Sequence, residues 1–277
     1  SGSRTSRKER KHRPAMTNRA NRKPKRNKDG PGAAELSFPV RLNRFIARSG
    51  VCSRRQADEL IREGRVKVND VVVTELGTQV NKGDKVEVGG SRLHIEEPVY
   101  ILLNKPRDTI TTVSDEKDRR TVMDLVGGHV LEGKGMFPVG RLDRDTTGAL
   151  LITNDGDLAH RLMHPRWTVS KIYVIRTKRT VSPAELDRLV AGVELDDGPA
   201  CAQRAGFVSD SDKKTIAVEI HEGRNHQVRR MIEAIGHEAA SLDRIRFAGL
   251  DLHGLRRGKW RRLRPDEVRS LRRLVRL

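Results

Sequence analysis

Apolar residues are almost absent from positions 1–39 and become periodic from Val40 onward. Leu42, Phe45 and Ile46 recur at helical spacing and stop before Gly50, which predicts a first helix. Ser53 and Gln56 form a capping-box pair ahead of Ala57, Leu60 and Ile61, and Gly64 stands at the C-terminal stop, so a second helix is predicted there. Val66-Lys67-Val68 and Val71-Val72-Val73 flank a turn at Asn69-Asp70, a hairpin pattern. Val86-Glu87-Val88 follows Gly83-Asp84 and predicts another short strand. Two helices and about three strands thus form a small module over 40–95. Glu96-Glu97-Pro98 reads as a linker.

The pattern then changes. Residues 99–103 are Val-Tyr-Ile-Leu-Leu, a continuous apolar run suited to a strand buried on both faces. Leu150-Leu151-Ile152 and Lys171-Ile172-Tyr173-Val174-Ile175 predict two more strands, and the alternating Ile216–Ile220 segment a fourth. Helices are predicted at 183–191, at 226–235 and after Pro265, the last with Val268, Leu271 and Leu274 or Val275 inward. Helices and strands do not alternate regularly. The expected class is therefore α+β: a small two-helix module followed by a larger, mixed, mainly antiparallel sheet over 98–277.

Charge adds a second layer. The 277 residues carry a formal net charge of +19. Residues 1–39 hold 12 basic and 3 acidic side chains, and residues 256–277 hold 10 and 2. Residues 98–255 hold 23 of each sign. A near-neutral body with basic ends favours a polyanionic partner, because each Lys or Arg that neutralises a phosphate releases counterions. Residues 1–39 have too little to bury to offset the entropy of ordering, so a disordered basic tail is expected there. No apolar run approaches the roughly 18 residues of a membrane helix, and no apolar stretch suggests a secretory signal. Cys52 and Cys201 lie too far apart in sequence for a Cys-x-x-Cys site, which suits a reducing, cytoplasmic setting. Nine aromatic residues in all argue against RNA binding that relies mainly on base stacking.

Three stretches carry candidate chemistry. Gly140-Arg-Leu-Asp-Arg-Asp-Thr-Thr-Gly148 is a charged loop between apolar strands. A calcium loop fails here, since Asn154 stands where the twelfth-position Glu belongs and residues 149–152 are apolar. The aspartates 143, 145, 155 and 157 leave a metal-dependent nuclease as a weaker alternative. His160 and His164 are four apart, but no third zinc ligand is apparent. Glu222-Gly-Arg-Asn-His-Gln-Val-Arg-Arg230 follows a strand and opens a helix. Its three arginines need carboxylate or phosphate partners if partly buried, and the 140–148 loop is the expected partner. No Gly-rich phosphate loop or cofactor motif is found, and neither metal nor cofactor is expected.

Arg41-Leu42, Gly50, Ser53-Arg54, Ala57, Leu60-Ile61, Gly64, Val66, Val68-Asn69 and Gly83-Asp84 resemble the alpha-L RNA-binding motif. Asp70 departs from it, standing where the motif usually has Gly. The resemblance implies that the two-helix face contacts structured RNA. Arg44 and Arg48 share one helix face. Arg54 and Arg55 sit at a helix start, where they oppose the dipole. All four are candidate phosphate ligands.

In the second half, Arg141-Leu142-Asp143 with Thr147-Gly148, Lys171-x-Tyr173, and Gly223-Arg224-x-x-Gln227-Val228-Arg229-Arg230 resemble the motifs of the pseudouridine synthases, in the RsuA/RluB-type branch that modifies ribosomal RNA. Asn104-Lys105-Pro106, Thr153–Leu162, His164-Pro165 and Gly236-His237 add to the match. The resemblance implies uridine isomerisation on a flipped-out nucleotide. Asp143 is then the nucleophile or base, Tyr173 packs on the uracil and helps deprotonate the ring carbon, and Arg229 pairs with Asp143. It further implies substrate contacts from Arg141, Lys105, Arg224, Gln227 and Leu242. Asp108 and Ala248-Gly249 depart from the family's usual Gly and Gly-Pro. The expectation is a monomeric, cytoplasmic enzyme acting on large-subunit ribosomal RNA or a ribosomal precursor particle, with no membrane partner. A small-subunit synthase and a non-enzymatic assembly factor are the alternatives.

Overall fold

The computed structural model describes residues 36–128 and 134–277. The predicted basic tail therefore lies almost wholly outside the described residues. Its last four positions do not belong to it. Leu36 is buried and Phe38 packs on the same apolar cluster, so the ordered module begins before Val40. These two residues are the first large apolar side chains after the basic stretch, and burial is what places them.

The first module contains β1 (Val40–Arg41), α1 (Leu42–Arg48), α2 (Arg54–Arg62), β2 (Val66–Val68), β3 (Val71–Val73), β4 (Gln79–Val80), β5 (Val86–Val88) and β6 (Ser91–Arg92). Strands β3-β2-β5-β6 form a four-stranded sheet, and β1 pairs with β4. Leu42, Ile46, Ala57, Ile61, Val66, Val80 and Val86 form the core between helices and strands. The capping box at Ser53 and Gln56 is made in both directions. Asn69 and Asp70 both adopt the left-handed conformation, φ 50° and 67°, as in a type I′ turn. Asp70 therefore takes the conformation Gly would take. Its carboxylate pairs with Lys85 at 2.9 Å, while the Asn69 side chain donates to Asp84 and accepts from the Lys85 amide.

The second domain is built on one sheet with the strand path β13-β14-β10-β15-β9-β7-β17. These are Arg204–Ser209, Asp212–Ile220, Lys171–Thr177, Ala239–Phe247, Thr147–Thr153, Tyr100–Lys105 and Trp260–Arg262. Short β8 (Phe137–Pro138) pairs with β9, and β16 (Leu250–Asp251) with β15. Neighbours are antiparallel except β15 and β9, which run parallel. β11 (Val193–Leu195) and β12 (Gly198–Ala200) form a separate hairpin.

Two cores lie on opposite faces of this sheet, which explains the continuous apolar runs. Ile101 and Leu103 of β7 and Leu150 and Ile152 of β9 face one core. Tyr100, Leu102, Ala149 and Leu151 face the other. The first core takes apolar residues of α3 (Val122–Val126), α5 (Pro183–Ala191) and α6 (Gln227–Ala234). The second takes those of α4 (Gly156–Met163) and α7 (Pro265–Leu274). On α7, Val268, Leu271 and Val275 are inward while Leu274 is exposed.

Candidate active site

The 140–148 loop bridges β8 and β9 and is held from beneath. Lys105 ends β7 with its side chain fully buried. Its Nζ donates to the carbonyls of Asp143 at 2.9 Å, Thr146 at 2.8 Å, Pro106 at 3.1 Å and Arg144 at 3.3 Å. Burial lowers its pKa to about 8, against the opposing pull of Asp145, Asp143 and Asp108. Thr111 Oγ1 grips the loop one residue earlier, donating to the Leu142 carbonyl at 2.7 Å and accepting from its amide at 3.2 Å. At the far end, Gly148 adopts φ +111°, and a Cβ there would lie 2.2 Å from the Arg244 carbonyl oxygen. Only Gly fits this close approach of β9 to β15.

One apolar cluster organises the site. Leu142, Tyr173, Val228 and Leu242 all belong to the first core. Asp143 and Arg229 follow Leu142 and Val228 in the chain, so packing of that core brings the loop and the start of α6 together. Tyr173 is 8 % exposed at the middle of β10, opposite Arg244. The Asp143 carboxylate keeps about a third of its surface open, with Oδ1 at 3.5 Å from Nε2 of His226. Asp145 Oδ2 accepts from Arg229 at 2.5 Å. Two carboxylates thus face the N-terminus of α6, where the helix dipole favours negative charge. A cleft of about 420 Å³ opens beside them, lined by Asp197, Asn225, His226, Arg229, Arg230 and Glu233.

A side-chain network braces the loop from β15. Thr147 Oγ1 donates to Asp243 at 2.7 Å, and Arg257 donates to both Asp243 oxygens at 2.9 Å. Arg257 also donates to the Asn104 side-chain oxygen at 2.5 Å. Arg244 is buried, donates Nε–H to the Ala149 carbonyl at 2.8 Å and stacks over Phe247.

Residues 99–234 match the family described as RNA pseudouridylate synthase, and residues 40–86 match the S4 domain. The chain is 48% identical over 238 residues to ribosomal large subunit pseudouridine synthase B of Bacillus subtilis, covering 85% of this chain and 96% of that one. The chain belongs to the RNA pseudouridine synthase family. It is also 34% identical to the dual-specificity RNA pseudouridine synthase RluF of Escherichia coli, over 85% of this chain and 79% of that one. A crystal structure of a pseudouridylate synthase superposes with a TM-score of 0.60 at 29% identity, covering 84% of this chain and 99% of that chain.

Within this pseudouridine synthase, the residues singled out from sequence fall into three groups. Tyr173 and Leu242 lie in the first core, Asp143 and Arg229 each follow a residue of that core in the chain, and Arg141 is exposed. Arg229, expected on Asp143, is paired with Asp145 instead, and His226 is the nearer partner of Asp143.

A second group, expected to contact substrate, is occupied within the protein. Lys105 is the buried pin of the loop. Arg224 Nη1 donates to Asp197 Oδ1 at 2.9 Å and its Nη2 to the Pro199 carbonyl at 2.8 Å, tying the β11–β12 hairpin to the start of α6. Arg230 grips the same Asp197 through both nitrogens at 2.8 and 3.0 Å. So only one of the three arginines pairs with the 140–148 loop, because Asp197 lies between the other two. Gln227 is buried and accepts from the Arg224 amide at 3.0 Å, closing the turn before the helix.

The third group lies on the S4 module. Arg54 and Arg55 are exposed at the start of α2. Arg44 and Arg48 do share a face, but it is turned to the catalytic domain. Arg44 pairs with Asp157, and the buried Arg48 donates to the Asn154 carbonyl at 2.6 Å.

The four aspartates considered for a metal are dispersed on different partners. Asp145 holds Arg229, Asp157 holds Arg44, and Asp155 accepts from Tyr100 and Arg272. Among the described residues, no three His, Cys, Asp or Glu side chains form a metal-holding group. His164 is engaged through Nδ1, which accepts the Arg166 amide. No described helix is long and apolar enough to cross a membrane. His226, Asp243, Arg244 and Arg257 escaped sequence reasoning. His226 sat inside a quoted motif, whereas the others are long-range partners with no local signal.

Proposed function

We propose that this pseudouridine synthase isomerises a specific uridine in large-subunit ribosomal RNA, on the free RNA or on a ribosomal precursor particle, as a cytoplasmic monomer. The supporting observation is the Asp143 carboxylate, about a third open to solvent, on a loop gripped through its backbone by Lys105 and Thr111 and following Leu142, which shares an apolar cluster with Tyr173. The relative's name supports the choice of ribosomal subunit.

In this reading the target nucleotide flips out of its stack, at a cost of a few kcal/mol offset by contacts in the site. Asp143 acts at the nucleotide while the bond between the ribose C1′ and N1 of uracil breaks. The base turns, C5 bonds to C1′, the C5 proton leaves with help from Tyr173, and N1 takes up a proton in its place. Substrate and product have the same atoms and oxidation level, so no co-reactant enters. The work of the protein is positioning and exclusion of water. Arg229 moves from Asp145 to Asp143 or stays to orient the pair, and Arg141, Arg54 and Arg55 meet phosphates.

Mapping pseudouridines in ribosomal RNA with and without the protein tests the reading. A new pseudouridine at one large-subunit position is expected. Modification confined to small-subunit RNA would overturn the subunit choice, and an unchanged map would overturn the ribosomal substrate.

A further inference from the structure

A second groove lies at the C-terminal end of the chain, along α7 and the residues just after it. Arg269, Arg272, Arg273 and Arg276 line it together with Val268 and Leu277, enclosing about 550 Å³. Spacings of three and four set Arg269, Arg272 and Arg273 along one side of α7, and Arg276 follows just past the helix end in left-handed backbone, φ 54°. No acidic side chain lines the groove. Like charges so placed repel each other and weaken the helix, a cost that an anion lying across them removes.

The four are not equivalent. Arg272 donates to Asp155 at 3.1 Å, and the buried Asp155 also accepts from the Tyr100 hydroxyl at 2.7 Å and caps α4. Arg272 therefore anchors the helix. Among the described residues, Arg269, Arg273 and Arg276 have no carboxylate partner. A helix C-terminus ordinarily repels anions. Here the Arg161 guanidinium donates to the carbonyls of Val275 and Arg276, both at 2.8 Å. That cation covers the negative end of the helix.

The groove also has an informative neighbour. The first turn of α4 receives Arg272 of α7 at Asp155, Arg44 of α1 at Asp157 and Arg48 of α1 at the Asn154 carbonyl. One short stretch thus anchors both the S4 module and the arginine-lined helix.

We propose that this groove is a second RNA-binding surface, taking the phosphate backbone of the substrate RNA away from the nucleotide being isomerised, through Arg269, Arg273 and Arg276. The inference rests on the ribosomal RNA reading above. RNA is favoured over an acidic protein because the lining is almost wholly guanidinium, with only Val268 and Leu277 apolar, and guanidinium groups match phosphates bidentately.

The test uses the full chain carrying R269Q, R273Q and R276Q together, with transcribed large-subunit ribosomal RNA as the probe. Affinity is measured across a range of salt, and the single-turnover rate at saturating protein. The expected result is a slope of log affinity against log salt that is shallower by about 2 to 3, with affinity roughly tenfold lower near 0.1 M salt. The rate on bound RNA stays within about twofold, since no catalytic group is touched. A matching Arg→Lys triple variant keeps the charge and is expected to keep most of the slope. An unchanged slope in the Gln variant overturns the proposal. So does a Lys variant that falls as far as the Gln variant at an unaltered melting temperature, because packing rather than charge would then be the cause. Loss of binding to a precursor particle with naked RNA unaffected would assign the groove to an acidic protein instead. Failure of the unmodified protein to isomerise any uridine in this RNA would count against the ribosomal reading, and the salt slopes would still judge the groove.

Discussion

The backbone around Asp143 is held by two buried side chains, Lys105 and Thr111. The Asp143 backbone carbonyl is one of four that accept from Lys105, and the preceding residue is held at both ends by Thr111. Asp143→Asn removes the charge and keeps the shape. Isomerisation is expected to fall at least about a thousandfold, roughly 4 kcal/mol of barrier, with RNA affinity nearly unchanged; single-turnover assay and a binding titration check both halves.

Lys171 offers a pH test of burial. It is half-buried at the start of β10, and desolvation, then repulsion from Arg244, lowers its pKa to about 8, with Glu222 opposing. Unfolded lysine titrates near 10.4. Between those values the unfolded chain binds more protons, so this residue makes stability rise with pH, and its cost is full below about pH 8. Lys171→Met removes that cost. The melting temperature of the variant minus that of the unmodified protein is expected to be larger at pH 7 than at pH 10, and equal differences would refute the assignment. Ala248 is a smaller case. It adopts φ 52° without the side-chain hydrogen bonding that helps Asn or Asp there. Ala248→Gly is expected to stabilise by about 1 kcal/mol, or roughly 2 °C in melting temperature.

At the scale of elements, the parallel contact of β9 with β15 matters most. It closes the sheet where the loop ends, and Gly148 makes it possible. Gly148→Ala would force a Cβ into the Arg244 backbone. It is expected to cost at least about 3 kcal/mol and to lower the melting temperature with activity lost in parallel. The start of α6 is held differently. Arg224 and Arg230 converge on Asp197 and fix the helix against the β11–β12 hairpin, leaving Arg229 free to face the loop. The arginine-rich motif thus divides between one residue for the site and two for the support of its helix.

At the scale of the whole molecule, the S4 module is joined to the catalytic domain through Arg44 and Arg48, and its exposed basic face is carried by α2. Residues 1–35 hold 12 basic and 3 acidic side chains. Removing 1–35 is expected to flatten the salt dependence of RNA binding and to leave the rate on bound RNA intact. Removing 1–39 also takes Leu36 and Phe38 from the module core. That longer deletion is expected to lower the melting temperature, whereas the shorter one is not. Calorimetry of the two truncations separates charge from packing.

Local pattern was enough to read much of this protein. Continuous apolar runs marked strands buried on two faces, because a strand between two cores has no polar side to show. The capping residues of α2 and the start of α7 were legible because caps satisfy the backbone within one turn. Asp143, Tyr173 and Arg229 stood out because their motifs are contiguous. The partners were not legible. Lys105 looked like a substrate ligand and is a buried pin; Arg48 looked like a phosphate ligand and joins two domains. Arg224 belongs to Asp197, 27 positions away, and Asp243 reaches Arg257 across a turn. A charged side chain announces that it needs a counter-charge, but the sequence does not say which one. Only the packing of the two cores decides which carboxylate or carbonyl lies within three ångströms of each guanidinium, and which arginines remain free for RNA.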